Sequence, residues 1–235
     1  MELITTATST DVARVGATVA VLPVGSFEQH GDHLPLITDT VIACLIADRI
    51  ATNYQLMLLP PITMSASHEH ETFPGTVSIS ASTLISLIGD IRSSLARSGI
   101  TTLVIINGHG GNYVLSNIAA QANVDGRNVV LYPGRSDWEA ARSSAGMISN
   151  IHDDMHGGEL ETSIILHSRP ELVRDSYRDA DHLASDRQHF LLTGMAGYTS
   201  TGIIGLPSAA TAAKGEAALA ILCDSFAAYL EAVKR

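Results

Sequence analysis

Basic residues are scarce in this chain. The 14 lysines and arginines face 24 aspartates and glutamates, leaving a net charge of −10. A surface of that sign repels phosphate backbones, so nucleic acid is not an expected partner. Cysteine is nearly absent: Cys44 and Cys223 both sit in apolar helical patterns and make no disulfide framework. No apolar run approaches the roughly 18–20 residues of a membrane span. The opening "MELITTATST" has no basic segment followed by an apolar one, which argues against a secretory signal. The expected compartment is therefore the cytoplasm, and no membrane partner is expected.

What is abundant is apolar material. At 46% it supplies a core large enough to exclude disorder. A length of 235 residues, without repeats or a low-complexity linker, suits one domain spanning 1–235. Strand-like and helix-like patterns alternate. "TVAVLPV" (18–24), "QLMLLPPI" (55–62), "TTLVIIN" (101–107) and "NVVLY" (128–132) read as buried strands without polar alternation. Between them, 39–53, 83–99 and 113–126 show helical spacing. Thr38 or Asp39 is available to cap the first of these helices and Ser80 or Ser82 the second, while Gly99 and Gly126 are stops. A further helix is expected near 158–167 and a long one over 211–234. Residues 169–210 carry no long period and read as loops, short strands or a lid. This rhythm predicts an α/β fold, a three-layer αβα sandwich around a mostly parallel sheet.

The chemistry-bearing residues cluster at the ends of these strands. "GSFEQHGDHLPLITD" (25–39) follows the first strand. Glu28 and His30 are at i and i+2, which in extended backbone face one side. Asp39 can fold back against them and bridge two cations, or it can simply cap its helix. Asp32 and His33 read as supporting or exposed residues. "NGHGGN" (107–112) puts His109 between glycines that let a ligand approach the backbone, but it matches neither phosphate-binding glycine motif and has no lysine. "HGGELETS" (156–163) offers His156, Glu159 and Glu161. A first-turn position complementing the helix dipole explains Glu159 better than Glu161, which is entering an apolar section. Asp153 and Asp154 read as a solvated loop. In "SHEHETFPGT" (67–76), His68 and His70 either contact substrate or brace a turn. There is no Gly-x-Ser-x-Gly elbow and no cysteine in a catalytic setting, so the expected nucleophile is water activated by divalent ions. Nitrogen and oxygen ligands without thiolates suit zinc, manganese or iron.

Taken together, "PVGSFEQHGDHLPLITDT", "EHETFPGT", "VIINGHGGN" and "HGGELETS" resemble, in order, the signature segments of the creatininase (creatinine amidohydrolase) family. "GIIGLPSAATAAKG" near the C-terminus also looks like a family segment. The resemblance implies a two-metal site at the strand carboxyl ends. In it, Glu28 and His109 bind one ion, His30 and Glu161 the other, and Asp39 bridges. His156 matches a histidine that carries a proton to the leaving nitrogen. The reaction implied is hydrolysis of a cyclic or otherwise unusual amide C–N bond, in a small molecule or short peptide, by a homo-oligomer that is often hexameric. One departure stands out. Creatininase itself carries Tyr-Glu where this chain has Gly110-Gly111, and it has tryptophans around its substrate where this chain has Trp138 alone. Creatinine as substrate is therefore in doubt, and Glu159 is a candidate for the missing carboxylate. His70, Gly110 and Gly111 are candidate substrate contacts. "NGHGGN" is more similar to the members that deformylate formamidopyrimidines or trim the mycofactocin precursor. A two-metal site also serves phosphoesterases, but phosphate recruits arginine or lysine, and few stand near these motifs. A non-catalytic binding protein is the third reading.

Overall fold

The computed structural model describes residues 4–234. Four parallel strands form one sheet in the order β2-β1-β3-β4. They are β1 (Val19–Val24), β2 (Met57–Leu58), β3 (Thr102–Asn107) and β4 (Val129–Tyr132). The helices between them are α1 (Ser9–Val15), α2 (Thr38–Tyr54), α3 (Ala81–Arg97), α4 (Val114–Ala122) and α5 (Arg135–Ser144). Then come α6 (Glu159–Ser168), the short α7 (Phe190–Thr193), α8 (Ala212–Ser225) and α9 (Ala227–Lys234).

Alternate residues of the central strands feed two separate cores. Val21, Val104 and Ile106 point to the side covered by α2, α6 and α8, while Ala20, Leu22, Leu103 and Ile105 point to the side covered by α3 and α4. Both faces are dry, which is why the strands read as continuous apolar runs. Helix α2 is buried along most of its length, against β1 on one side and α6 and α8 on the other. The expected three layers are present.

Several local expectations are corrected. The strand expected over 55–62 shrinks to Met57–Leu58, half-buried at the sheet edge. Pro60 and Pro61 donate no N–H to a ladder, and so end it. Helix α4 stops at Ala122 rather than near Gly126, with Asn123 binding back to Asn128 and Val129. The single helix expected over 211–234 is two, separated at Phe226, whose ring is fully buried. Helices α1 and α5 were not anticipated. Residues 169–210 form short 3-10 turns and α7 rather than strands.

Candidate metal centre

The loops that follow β1 and β3 start side by side, because Val24 pairs with Asn107 at the last step of the ladder. Glu28 and His30 come from the first loop and His109 from the second. Asp39 lies in the first turn of α2, and Glu161 in the first turn of α6. Neither Thr38 nor Asp39 caps α2. The cap position is Ile37, without a side-chain bond, and the Thr38 hydroxyl donates to the Pro35 carbonyl at 2.6 Å. The Asp39 carboxylate is thereby left to face the loops.

Its two oxygens diverge. Oδ1 lies 3.0 Å from His30 Nε2, and Oδ2 lies 2.9 Å from His109 Nδ1 while accepting from the Ser26 hydroxyl at 2.8 Å. Glu28 Oε1 is 3.2 Å from His109 Nδ1, and Glu161 Oε2 is 3.9 Å from His30 Nε2. Two groups of ligand atoms, each within 4.8 Å of one another, are Glu28–Asp39–His109 and His30–Asp39–Glu161. They share Asp39. A third, Glu28–His30–His156, overlaps both.

Each histidine is oriented from behind. His30 Nδ1 donates to the Glu28 carbonyl (3.1 Å), His109 Nε2 to the Ala66 carbonyl (3.0 Å), and His156 Nε2 to the Gln29 carbonyl (2.6 Å). The opposite nitrogen of each ring is left facing the carboxylates, the arrangement that fixes a metal-binding tautomer. His156 Nδ1 stands 3.7 Å from Glu28 Oε1, and its ring lies against His30 (4.1 Å between centroids) and His70 (4.3 Å). Both carboxylate oxygens of Glu28 are fully buried without an aligned hydrogen-bond donor. An orphaned buried carboxylate is costly unless a cation meets it. That orphan, together with the nitrogen and oxygen donor set, fits divalent ions.

The electrostatics agree with this geometry. Burial alone would lower the His30 imidazolium, but Asp39, Glu161 and Glu28 outweigh it and hold His30 up at about 9. His109 is likewise raised well above its ordinary value, burial being overcome by Glu28 and Asp39. Burial pushes the Asp39 and Glu28 carboxyls upward, yet the facing histidines pull both below the ordinary range. Burial raises Glu161 to about 7. His156 is lowered well below its usual value by burial and by the neighbouring His30 and His70. A cluster that attracts protons in this way competes for any other cation.

The remaining candidates fare differently. Glu159 is not at the cluster. Its carboxylate accepts from the Ser149 hydroxyl (2.6 Å) and the Ser149 N–H (2.8 Å), and it pairs with Lys214. A carboxylate so occupied is a brace between α6 and α8, and the expectation that it replaces one missing at position 111 is corrected. Asp154 is no solvated loop residue either. It is buried, accepts from the Glu159 and Leu160 N–H groups at the head of α6, and pairs with Arg142 at 2.7 Å. His33 binds the Gly157 carbonyl and the Thr162 hydroxyl, a supporting role, and Asp32 is exposed. His70 is buried behind Glu28, with Nε2 3.3 Å from Oε1 and Nδ1 accepting from Gln29. His68 is on the surface beside Glu71.

A cavity of about 580 Å³ opens over the cluster, with Asp39, His70, His109, Gly110, Gly111 and Glu161 among its walls. A smaller one of about 250 Å³ adjoins it at His109 and Glu161 and reaches Trp138 on α5. A third, about 650 Å³, continues from Gly111 and Tyr113 along Leu191 and Leu192. Glu69, at the junction of the first and third, was not singled out in the sequence; it sits between His68 and His70 and shows no pattern of its own.

Residues from two strand-to-helix connections of a parallel sheet and from the head of α6, meeting in groups that share a carboxylate beneath a cleft, define a metal-dependent hydrolase centre. The family model for creatininase, creatinine amidohydrolase, matches residues 5–230. The chain belongs to the creatininase family of amidohydrolases, hydrolases of C–N bonds. It is 36% identical over 217 residues to the mycofactocin precursor peptide peptidase of Mycobacterium ulcerans, covering 87% of this chain and 81% of that one. To the creatinine amidohydrolase of Pseudomonas putida it is 32% identical over 193 residues, 72% of each. Among solved structures, a manganese creatininase superposes with a TM-score of 0.81 at 26% identity, over 98% of both chains.

Proposed function

We propose that this chain is a two-metal amide hydrolase whose substrate is a peptide or peptide-like chain rather than creatinine. The observation that carries the reading is Asp39, each of whose oxygens faces a different ligand group. In this reading Glu28 and His109 would hold one ion, His30 and Glu161 would hold the other, and Asp39 would contribute to both. Zinc is the first choice, with manganese or iron as alternatives. When bound, the ions would polarise the scissile carbonyl and lower the pKa of a water molecule.

The chain's own residues do the rest. His156, with its Nε2 hydrogen committed to the Gln29 carbonyl, turns Nδ1 toward the cluster. There it can take a proton and hand it to the departing nitrogen. Gly110 exposes backbone at the cleft wall beside the buried Gly111, and His70 holds Glu28 in place. Support for a longer substrate comes from the groove of about 650 Å³ that continues the cleft, more than a small ring would fill. It comes also from the relatives at 36–37% identity being peptidases of a precursor peptide. A phosphoesterase is disfavoured because Arg187 alone among the residues lining this cavity is an arginine or lysine, and two of its N–H groups already serve the Ala184 and His152 carbonyls.

We also read residues 1–235 as one domain, since one sheet separates both cores and the family match runs nearly end to end. Assembly into a homo-oligomer, hexameric as in the family, and a cytoplasmic site of action complete the reading. Light scattering would measure the assembly. No helix among the described residues is long and apolar enough to cross a membrane.

The test is metal analysis followed by an assay panel of creatinine, formamides, lactams and short peptides, before and after chelation. Turnover of peptides that is lost on chelation and restored by zinc or manganese is expected. A purified protein without divalent metal, with an Asp39→Ala variant that behaves like wild type, would sink the scheme.

A further inference from the structure

The acidic groups around the cleft have separate duties, and one largely buried carboxylate is left over, Asp186 on the same wall being exposed. Glu28, Asp39 and Glu161 belong to the ligand groups. Glu159 is taken by Lys214 and Ser149. Glu69 lines the cavity above the cluster, its side chain only 13% exposed, yet no lysine or arginine of the described residues pairs with it. The nearest charged-type nitrogen is His109 Nε2 at 3.7 Å, and that nitrogen already donates to the Ala66 carbonyl.

Room for this residue is made by two glycines from distant parts of the chain, Gly111 at its carboxylate and Gly194 at its backbone. A Cβ at Gly111 would lie 1.9 Å from Glu69 Oε1, inside the space the carboxylate fills. Gly194 adopts φ +61°, and a Cβ there would lie 2.8 Å from the Glu69 carbonyl oxygen. A carboxylate seated in a carved space, without a lysine or arginine partner, at the point where two cavities join, is a poor choice for stability. It is a good choice for an acceptor that a ligand completes.

We propose that Glu69 is a substrate-contacting, specificity-determining residue. Its carboxylate accepts a hydrogen bond from an N–H donor next to the scissile carbonyl, in the position a side chain at 111 would otherwise occupy. It selects amide chains with a free backbone N–H there. The proposal rests on the reading of the chain as a hydrolase of peptide-like amides.

The experiment measures binding, by calorimetry on zinc-loaded protein, of short peptides and of their counterparts N-methylated at single backbone positions. Wild type is expected to bind the parent peptide about tenfold more tightly than one of the N-methyl forms, because a site built around a hydrogen bond rejects an analogue that lacks it. Glu69→Ala should bind the two forms alike, Glu69→Gln, whose amide oxygen still accepts, should keep part of the preference, and both should keep two zinc ions. Retained preference in Glu69→Ala, absence of any preference in wild type, or loss of zinc from Glu69→Gln overturns the proposal and leaves the amide reading standing. Failure of wild type to bind any peptide removes the peptide reading and this one together.

Discussion

Asp39 and His109 meet at 2.9 Å, Oδ2 to Nδ1, although one begins a helix and the other follows a strand on the far side of the loop. The same carboxylate reaches His30 with its other oxygen. Removing it therefore strikes both ligand groups at once. Asp39→Ala is expected to weaken retention of both ions by at least about tenfold, whereas Glu161→Gln should weaken one. Metal content by mass spectrometry after dialysis against a weak chelator distinguishes the two patterns. Equal loss in both variants would argue against separate sites.

The titration of the cluster makes a signed prediction for the metal-free protein. His30 and His109 hold protons more tightly than an unfolded histidine near 6.5. Their contribution to stability is fully present below about pH 6.5 and is lost as pH rises through about 9, the value for His30. His70 and His33, held down at about 4 by burial, act in the other direction. Between about 6.5 and 4 the unfolded chain takes up their protons first, so stability falls as the pH falls, while Glu161, held up at about 7, offsets part of that loss. Chelated protein should have its highest melting temperature near pH ~6.5. Metal binding must displace the protons on His30 and His109, so metal affinity should rise with pH over the same upper range. Calorimetry across the pH range, with and without chelator, measures both.

Glu159 is expected to matter for folding rather than chemistry. Glu159→Ala leaves Lys214, which is partly exposed, without its partner and removes the acceptor of the Ser149 hydroxyl. After allowance for solvent at Lys214, the loss should be about 1–3 kcal/mol. Metal stoichiometry should stay at two. A denaturant titration beside metal analysis would expose the opposite outcome, an unchanged midpoint with lost metal.

Gly108 touches the site from beneath. A Cβ there would lie 2.4 Å from the Asp39 carbonyl oxygen, so Gly108→Ala must push the head of α2 away from the β3 loop. A cost of about 1–3 kcal/mol is expected, together with weaker metal retention, because Asp39 moves with that turn. A variant with full stability and full metal would show that the turn yields without carrying Asp39.

The layers, the strands and the ligand-bearing loops were legible because each rests on a local signal. Both-face burial writes Val19–Val24 and Thr102–Asn107 as unbroken apolar runs, and the ligand types stand just past those runs. What escaped depends on distant partners. Glu159 sits beside Glu161 in the sequence, and only the positions of Lys214 and Ser149 reveal that one is a brace. Asp154 is set apart from Asp153 by Arg142. The space for Glu69 is carved by Gly111 and Gly194, neither of which is near it in the chain. Helix α5 escaped because "RSDWEAARSS" is mostly polar and buries only a narrow stripe.

The pairing of Val24 with Asn107 also acts as a ruler for chemistry. A strand advances about 3.3 Å per residue, and keeping the same faces inward allows slippage only in steps of two, about 6.6 Å. The atoms of each ligand group lie within 4.8 Å of one another. A single such slip of β3 along β1 would preserve both dry cores yet carry His109 out of reach of Glu28 and Asp39. The ladder thus discriminates between alternative pairings that hydrophobic burial alone treats as equivalent, and an ion bound between the loops at its carboxyl end would reward only the correct one.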